Sequence, residues 1–294
     1  MKTLNVLITA ILVSVTTPVF AAEPVSIDRN FTGFESLNEA QPLWELGVGG
    51  GLINVPNYPA SSERNIVGLA LPYFIYRGDV FRFGDGNARA VIIDNTDFEI
   101  DISVAGAFSA DSDNNTAREG MPELDYLFEV GPQVIYGLRT FEFNDGIGRL
   151  NLHLQARAVF STDFSNVKHQ GYVFQPKLSY QQRGVFFKDS AFSSSVSLVF
   201  TTEKLQDYFY QVDTEFASSN RDTFDAAGGF LGAEFATGIS FSLHENIRAF
   251  AGGSIRLHKG AANTDSPLFE KDLSYSVGVG FVWRIFKSEA LASW

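Results

Sequence analysis

The residues of this sequence best suited to metal binding or catalysis are four histidines, and their spacing supports neither role. They are scattered over a predicted strand, a loop, a turn and a strand end: His153, His169, His244 and His258. No two of them stand at the short spacing from which proteins build zinc sites. The chain has 0 cysteines, which excludes disulfides and thiolate ligands. The sequence therefore predicts no metal and no cofactor.

A serine hydrolase needs a serine beside a histidine, and His153 is the histidine that could serve one. It stands on the polar face of a predicted strand, next to Gln155 and Arg157. No serine lies in the G-x-S-x-G setting of a nucleophile elbow. Polar packing explains His153 better than catalysis does, so we predict that the protein is not an enzyme.

A larger set of charged residues occupies the polar faces of predicted strands, where these residues would share the lumen of a barrel. The candidate lumen charges are Glu99, Asp101, Glu129, Arg139, Arg157, Lys177, Arg248, Arg256 and Arg284. Two interpretations stay open. Such charges can select ions in a pore, or they can pair with one another and fill a narrow barrel. The mixture of signs favours pairing.

Segments in which apolar and polar residues alternate strictly would position these charges. Residues 98–108, 150–160, 172–180 and 275–285 all follow this pattern. A period of two residues is typical of β-strands, with one apolar and one polar face. The segments reach about 10 residues or more, enough to cross a bilayer at a tilt, whereas soluble strands typically have about 5 or 6.

The connections between these segments alternate in length. Short links are expected near 142–149, 183–190 and 242–246, and long ones near 109–123, 161–170, 203–227 and 259–272. Short periplasmic turns and long external loops are typical of outer-membrane barrels. We therefore predict an all-β fold, a transmembrane antiparallel β-barrel of about 10–12 strands. An even number of strands gives twelve if 43–53 is counted as a strand and 79–94 is divided into two strands, and ten if the barrel begins at residue 66. Twelve strands are preferred.

The N-terminus has the layout of a secretory signal: a charged start, a short apolar stretch and a small-residue exit. We predict a signal peptide at 1–21, a periplasmic segment at 22–42, the barrel at 43–286 and a C-terminal extension at 287–294. The expected location is the outer membrane of a Gram-negative cell. The expected partners there are membrane lipid, lipopolysaccharide and the barrel-insertion machinery. Nucleic acid is excluded, because 22 basic residues face 34 acidic ones.

Several short motifs follow one another along the predicted barrel. They are L-P-Y-F-I-Y-R-G at Leu71–Gly78, F-E-V-G-P at Phe128–Pro132, Y-F-Y-Q-V at Tyr208–Val212, F-D-A-A-G-G at Phe224–Gly229, and Gly260–Leu268. In type, order and spacing they resemble the motifs of the MipA/OmpV family of outer-membrane proteins. Gln211 replaces a glycine of the family pattern, Phe224 a tyrosine and Ala261 an acidic residue.

The resemblance implies a function without catalytic residues. Members of this family include a scaffold that holds a murein-degrading lytic transglycosylase and a bifunctional penicillin-binding protein together. The resemblance therefore implies a scaffold for murein-remodelling enzymes in the cell envelope. A small ion or solute channel is the alternative, and an outer-membrane hydrolase is the least favoured of the three.

Overall fold

The computed structural model describes residues 42–77, 81–84, 87–90, 93–94, 98–107, 115–144, 146–186 and 189–291. The predicted signal peptide and nearly all of the segment 22–42 lie outside the described residues. Within the described ranges, no helix is long and apolar enough to span a membrane.

The described strands form a single antiparallel sheet, which confirms the all-β prediction. The strands are β1 (Trp44–Pro56), β2 (Arg64–Arg77), β3 (Phe81–Gly84), β4 (Asn87–Ala90), β5 (Ile93–Asp94), β6 (Phe98–Ala107), β7 (Tyr126–Phe143), β8 (Gly146–Thr162), β9 (Val167–Arg183), β10 (Ala191–Thr201), β11 (Gly229–His244), β12 (Ile247–Leu257) and β13 (Leu273–Lys287). The helix α1 (Glu203–Tyr210) lies between β10 and β11. Two 3-10 turns lie at 116–118 and 214–216.

Sequence neighbours pair along the sheet, and β1 pairs with β13, so the first and last strands of the fold are adjacent. The sheet ends at β4 and β5, and β4 lies beside β6. No ladder between β4 and β6 is present in the described ranges, so the barrel is not closed there by backbone hydrogen bonds. In the same ranges, ten strands have at least ten residues, and β3, β4 and β5 are short. The predicted split of 79–94 corresponds to β3 and β4.

The alternation along each strand separates a polar inner face from an apolar outer face. In β8 the buried side chains are polar at most odd positions, such as Asn151, Gln155 and Arg157, while Leu154 on the other face is 43% exposed. In β13 the outward Val279 is 61% exposed. Apolar side chains with this much exposed surface are stable when the hydrocarbon of a membrane surrounds them. The barrel is therefore inside-out relative to a soluble protein, as the pattern predicts.

The connections gather at two different ends of the barrel. The short-turn end holds the β7–β8, β9–β10 and β11–β12 turns, together with both ends of the sheet-forming chain, since Ser288 N donates to Trp44 O at 2.9 Å. The long-loop end holds the connections 57–63, 163–166, 202–228 and 258–272, together with residues 115–125. One predicted long link, 161–170, is only 163–166, because β8 and β9 both extend into it.

The F-E-V-G-P motif lies at a close approach between the backbones of β7 and β8. A Cβ atom at Gly131 would lie 2.0 Å from the backbone oxygen of Ala156. Pro132 follows, and it has no N–H to donate to the ladder. The register passes from Val130 opposite Ala158 to Gln133 opposite Gln155. The glycine is therefore required by the close contact between two strand backbones.

Candidate functional site

The inner faces of β7, β8 and β9 carry a continuous network centred on Arg157. Its Nε donates to Glu129 Oε2 at 2.7 Å, and its Nη2 donates to Gln175 Oε1 at 2.7 Å. Its Nη1 donates to Gln155, whose amide in turn donates to Gln133. Because the side chain of Arg157 is only 6% exposed and that of Glu129 is 21% exposed, the pair is shielded from water. All three nitrogens of this guanidinium thus donate to partners within the wall.

Two further ion pairs join neighbouring strands of the sheet. Arg256 of β12 pairs with Glu234 of β11, which stands opposite it in register. Arg284 of β13 lies 3.4 Å from the buried Glu45 of β1, and it also donates to the backbone oxygen of Glu245 at 3.0 Å. The second pair lies at the short-turn end, where it connects the first strand, the last strand and the β11–β12 turn.

The remaining candidate lumen charges have varied surroundings. Arg248 is fully enclosed, and its Nε donates to Ser240 Oγ at 3.0 Å. Lys177 stands in register between His153 and Ser197. Arg139 is exposed on the outer face, with its guanidinium 5.2 Å from the ring centroid of Phe141.

The outward position of Arg139 has a local cause. The register of β7 against β8 shifts between Gly137 and Arg139, so Arg139 stands opposite Leu150. A one-residue shift transfers a side chain to the other face of a sheet.

Glu99 and Asp101 lie on β6, opposite Ile135 and Gln133. Their side chains lie outside the described part of the structure.

The lumen wall also brings a histidine and a serine together. His153 Nε2 lies 2.7 Å from Ser179 Oγ, and both residues are buried on adjacent strands. Hydrogen-bonding between a histidine and a serine is the first geometric requirement for an activated nucleophile. It is also the ordinary way in which two polar side chains satisfy each other inside a barrel wall.

Long loops fold together into a compact body, which we call the loop cap: residues 57–63, 115–125, 202–228 and 258–272. Its core joins segments far apart in sequence. Tyr58 Oη donates to the backbone oxygen of Leu268 at 2.9 Å, and Tyr210 Oη donates to that of Pro59 at 2.8 Å. The two rings meet edge to face with centroids 6.4 Å apart. Burial raises the pKa of both tyrosines, so both hydroxyls stay protonated donors.

The loop cap rests on a collar of apolar residues just inside the barrel mouth. The collar consists of the buried residues Leu127, Val159, Val173, Val199 and Leu231 near the long-loop ends of five strands. The cap residues Leu205, Phe209 and Val212 belong to the same buried cluster. The cap therefore continues into the lumen, and the inner face changes from polar to apolar where the cap begins.

A buried cation ties three parts of the loop cap together. Arg118 Nη1 donates to the backbone oxygen of Phe209 at 3.1 Å, and Nη2 donates to that of Pro122 at 3.1 Å. Its guanidinium lies 5.8 Å from the ring centroid of Tyr58. Burial lowers the pKa of this arginine. Carbonyl acceptors and an aromatic face provide the compensation that a buried guanidinium requires.

His258 fastens the loop cap to the strands. Its Nδ1 lies 2.9 Å from the backbone oxygen of Leu231, an arrangement in which Nδ1 carries the proton. Nε2 then accepts from Ala60 N at 3.2 Å and from Ser274 Oγ at 2.8 Å. Burial lowers the pKa of His258. The neutral ring therefore satisfies three groups at once.

Most of the sequence motifs lie in the loop cap and not in the wall of the lumen. The segments 208–212 and 260–268 lie in it, and the segment 224–229 lies in it up to the residue before β11. Asn263, from the last of these, donates to Gln206 Oε1 at 3.0 Å and accepts from Ala227 N at 2.8 Å. Because these residues hold distant loops together, the motifs mark the cap. These motifs are concentrated outside the alternating strands, and this feature of the sequence could have indicated the loop cap.

Within the described residues, no group of three or more His, Asp or Glu side chains could hold a metal ion.

The outer surface of the cap is acidic around Asp207. Burial raises the pKa of Asp207, and the nearby Glu203, Asp225 and Asp213 raise it further. In the described residues, polar side chains thus form ion pairs within the barrel wall and hydrogen bonds within the loop cap.

A barrel with a polar interior, an apolar exterior, short turns at one end and long loops at the other defines an outer-membrane β-barrel protein. The chain belongs to the MltA-interacting protein MipA family, whose family model matches residues 48–285. The resemblance read from the motifs is thereby confirmed.

Several solved outer-membrane proteins are similar to this chain. A NanC porin has a TM-score of 0.35 and 10% identity, covering 82% of this chain and 100% of its own. A bacterial polysaccharide outer membrane secretin has a TM-score of 0.32 and 8% identity, covering 84% and 100%. Salmonella typhi OmpF in complex with daunomycin has a TM-score of 0.30 and 9% identity, covering 82% and 97%. No curated protein matches the chain.

Proposed function

We propose that the protein is a non-catalytic outer-membrane scaffold that holds murein-remodelling enzymes at its short-turn, periplasmic end. The observation that carries this proposal is the family match, since the family is named for an interaction with MltA. The partners we propose are a lytic transglycosylase and a penicillin-binding protein. Export by a cleaved signal peptide at 1–21, assembly by the barrel-insertion machinery and contact with lipopolysaccharide belong to the same proposal.

The internal packing of the barrel supports a structural role. The pairs Glu129–Arg157, Glu234–Arg256 and Glu45–Arg284 link neighbouring strands. The loop cap is held by its own buried cluster at the long-loop end. A wall whose charges bind one another is a rigid platform, and rigid elements present binding surfaces with little entropy loss.

The short-turn end offers a surface for a periplasmic partner. At the end of β11 Leu243 is 63% exposed, and the β11–β12 turn begins at Glu245, two residues further on. Arg284 fixes this turn by donating to the Glu245 backbone oxygen at 3.0 Å and to Asn246 Oδ1 at 3.3 Å. An exposed leucine beside a carboxylate on an anchored turn combines an apolar contact with a charged rim, as protein interfaces do.

Because the chain has 0 cysteines, single cysteines can map the partner surface directly. Glu245→Cys places a crosslinker on the short-turn end, and Asn220→Cys, on an exposed loop of the cap, is the matched control. In intact envelopes we expect murein enzymes to crosslink to the first variant and not to the second. Crosslinking of such enzymes to the cap variant alone, or to neither, would contradict the proposal.

A channel for small ions or solutes is a second candidate function. Its support is the polar inner face of β8, where Asn151, His153, Gln155 and Arg157 are aligned. In planar bilayers a channel would give discrete conductance steps whose ion selectivity changes in Glu129→Gln. The scaffold proposal expects no steps from the wild-type protein, because charges paired across strands and a packed cap leave little room for ions.

A further inference from the structure

The outer face of the barrel has a hollow at mid-strand, on β10 to β13. Its volume is about 660 Å³. The floor is made of small residues, Thr237, Ala251 and Gly253, and the walls include Phe235 and Tyr275. The register places Thr237 opposite Gly253, and Phe235 and Ile255 in a row with Tyr275. Small side chains between rows of large ones thus create the depression.

This hollow faces the hydrocarbon of the membrane. Phe235, Tyr275 and Val277 are outward residues, each close to half exposed. In register they alternate with the inward Ser254 and Ser276. Since the outer face of such a barrel is in contact with lipid chains, a depression in it has to be filled by an apolar group.

A cation stands at the rim of the hollow, against the Tyr275 wall and toward the long-loop end. The guanidinium of Arg64 lies 3.8 Å from the ring centroid of Tyr275. Arg64 stands opposite Pro56 on β1, two positions from the pair formed by Asn54 and the outward Ile66, which places it on the outer face. It marks the level at which the apolar band ends, where lipid headgroups lie.

The hydrogen bonds of Arg64 leave part of its donor set unused. Nε donates to Asn54 Oδ1 at 2.7 Å, and Nη2 donates to Asn54 as well. In the part of the chain that the structure describes, Nη1 has no hydrogen-bond partner. Tyr275 and Asn54 therefore hold the guanidinium in place while one of its edges stays available to an anion.

We propose that this hollow is a lipid site, in which one acyl chain of a membrane lipid fills the depression and Arg64 binds the phosphate of its headgroup. Arginine is suited to phosphate because its planar donors match the phosphate oxygens. The apolar hollow and the cation are adjacent in the same order as the tail and the headgroup of a lipid in the outer leaflet. A second copy of this chain is the alternative occupant of the hollow, and the lipid titration distinguishes the two.

The test uses the full-length protein in detergent, titrated with dioleoyl phosphatidic acid and followed by native mass spectrometry. Dioleoylglycerol, with the same chains and no phosphate, is the control ligand. We expect Arg64→Gln to weaken phosphatidic acid binding by about tenfold, which is the loss of one charge-assisted contact. Binding of dioleoylglycerol should not change. Arg139→Gln is the matched control, since Arg139 also lies on the outer face over an aromatic ring, that of Phe141.

Filling the hollow should abolish the binding of both lipids. Ala251→Phe does so from the floor, Thr237→Phe is a second variant should the first not fold, and Ala156→Phe on the lipid-facing side of β8 is the matched control. Equal binding by Arg64→Gln and Arg139→Gln would overturn the proposal. So would a two-chain species that disappears in Ala251→Phe, because the hollow would then be an interface between copies. The scaffold role is unaffected by either result.

Discussion

Arg157 is the centre of the hydrogen-bond network on β7, β8 and β9, and the cost of removing its carboxylate partner can be estimated. Glu129→Leu leaves this nearly buried guanidinium without its carboxylate. Breaking a buried pair from one side costs about 3–5 kcal/mol, and we expect about 3 kcal/mol because Glu129 keeps some contact with water.

A double-mutant cycle in the unfolding free energy, measured in lipid vesicles, tests this expectation. The double variant Glu129→Leu/Arg157→Met should cost about 1–3 kcal/mol less than the sum of the two single variants. Additive costs would show that the two side chains act independently and would contradict the network.

His258 gives the loop cap a pH dependence of defined sign. Its pKa in the folded protein lies below the ordinary value of 6.5, because the ring is buried and the positive charge of Arg256 is nearby. As the pH falls below 6.5, the unfolded chain binds a proton at His258 more readily than the folded chain does. The free energy of unfolding therefore decreases as the pH falls below 6.5.

Unfolding between pH 7.5 and pH 5 measures this loss. His258→Gln should remove the histidine contribution to the pH dependence, since an amide can donate and accept without titrating. His244→Gln, at the exposed short-turn end, should keep it. An unchanged pH dependence in the His258 variant would mean that other groups govern the acid sensitivity.

At the level of single residues, the strand periodicity predicted inward side chains for Glu129 and Arg157, which pair at 2.7 Å in the structure. It could not predict the outward position of Arg139, because the shift at Gly137 is a property of the paired strands. The surroundings of Ser179 likewise depend on the neighbouring strand, which brings His153 to 2.7 Å.

At the scale of elements, the outer face of β13 should tolerate charge according to depth. Val279→Arg near the middle of the strand should cost about 2–4 kcal/mol of folding free energy. Leu273→Arg, also outward but at the end of the same strand, should cost about 0–1 kcal/mol. Folding titrations in lipid vesicles measure both, and equal costs would mean that the middle of β13 does not lie deeper in hydrocarbon than its end.

The contact between β7 and β8 predicts an effect for one methyl group. Gly131→Ala would place a Cβ 2.0 Å from Ala156 O, so the strands must separate. Gly68→Ala on β2 is the matched control, since its Cβ would meet only Leu52 Cδ2 at an ordinary 3.5 Å. We expect the first variant to lower the yield of refolded, heat-modifiable barrel several-fold and the second to refold normally. Equal refolding yields for both would contradict the close contact.

The elements of the barrel were largely predictable because alternation is local. The strand segments 150–160 and 275–285 fall inside β8 and β13, which are longer than the pattern alone suggested. The loop cap was not predictable in the same way. Its contacts join residues such as Tyr58 and Leu268, which are 210 positions apart, and no periodicity links them.

At the scale of the whole molecule, the two ends of the barrel differ in construction. The long-loop end is closed by the loop cap, which packs on the apolar collar of the strands. The short-turn end presents anchored turns and the junction of β1 with β13. A partner in the periplasm would therefore meet a rigid surface, which supports the scaffold proposal.

Crosslinked affinity capture of the tagged protein from intact envelopes, with identification of the captured proteins by mass spectrometry, tests the scaffold role most directly. The account predicts recovery of a lytic transglycosylase together with a penicillin-binding protein. Recovery of only the insertion machinery and abundant porins would contradict it.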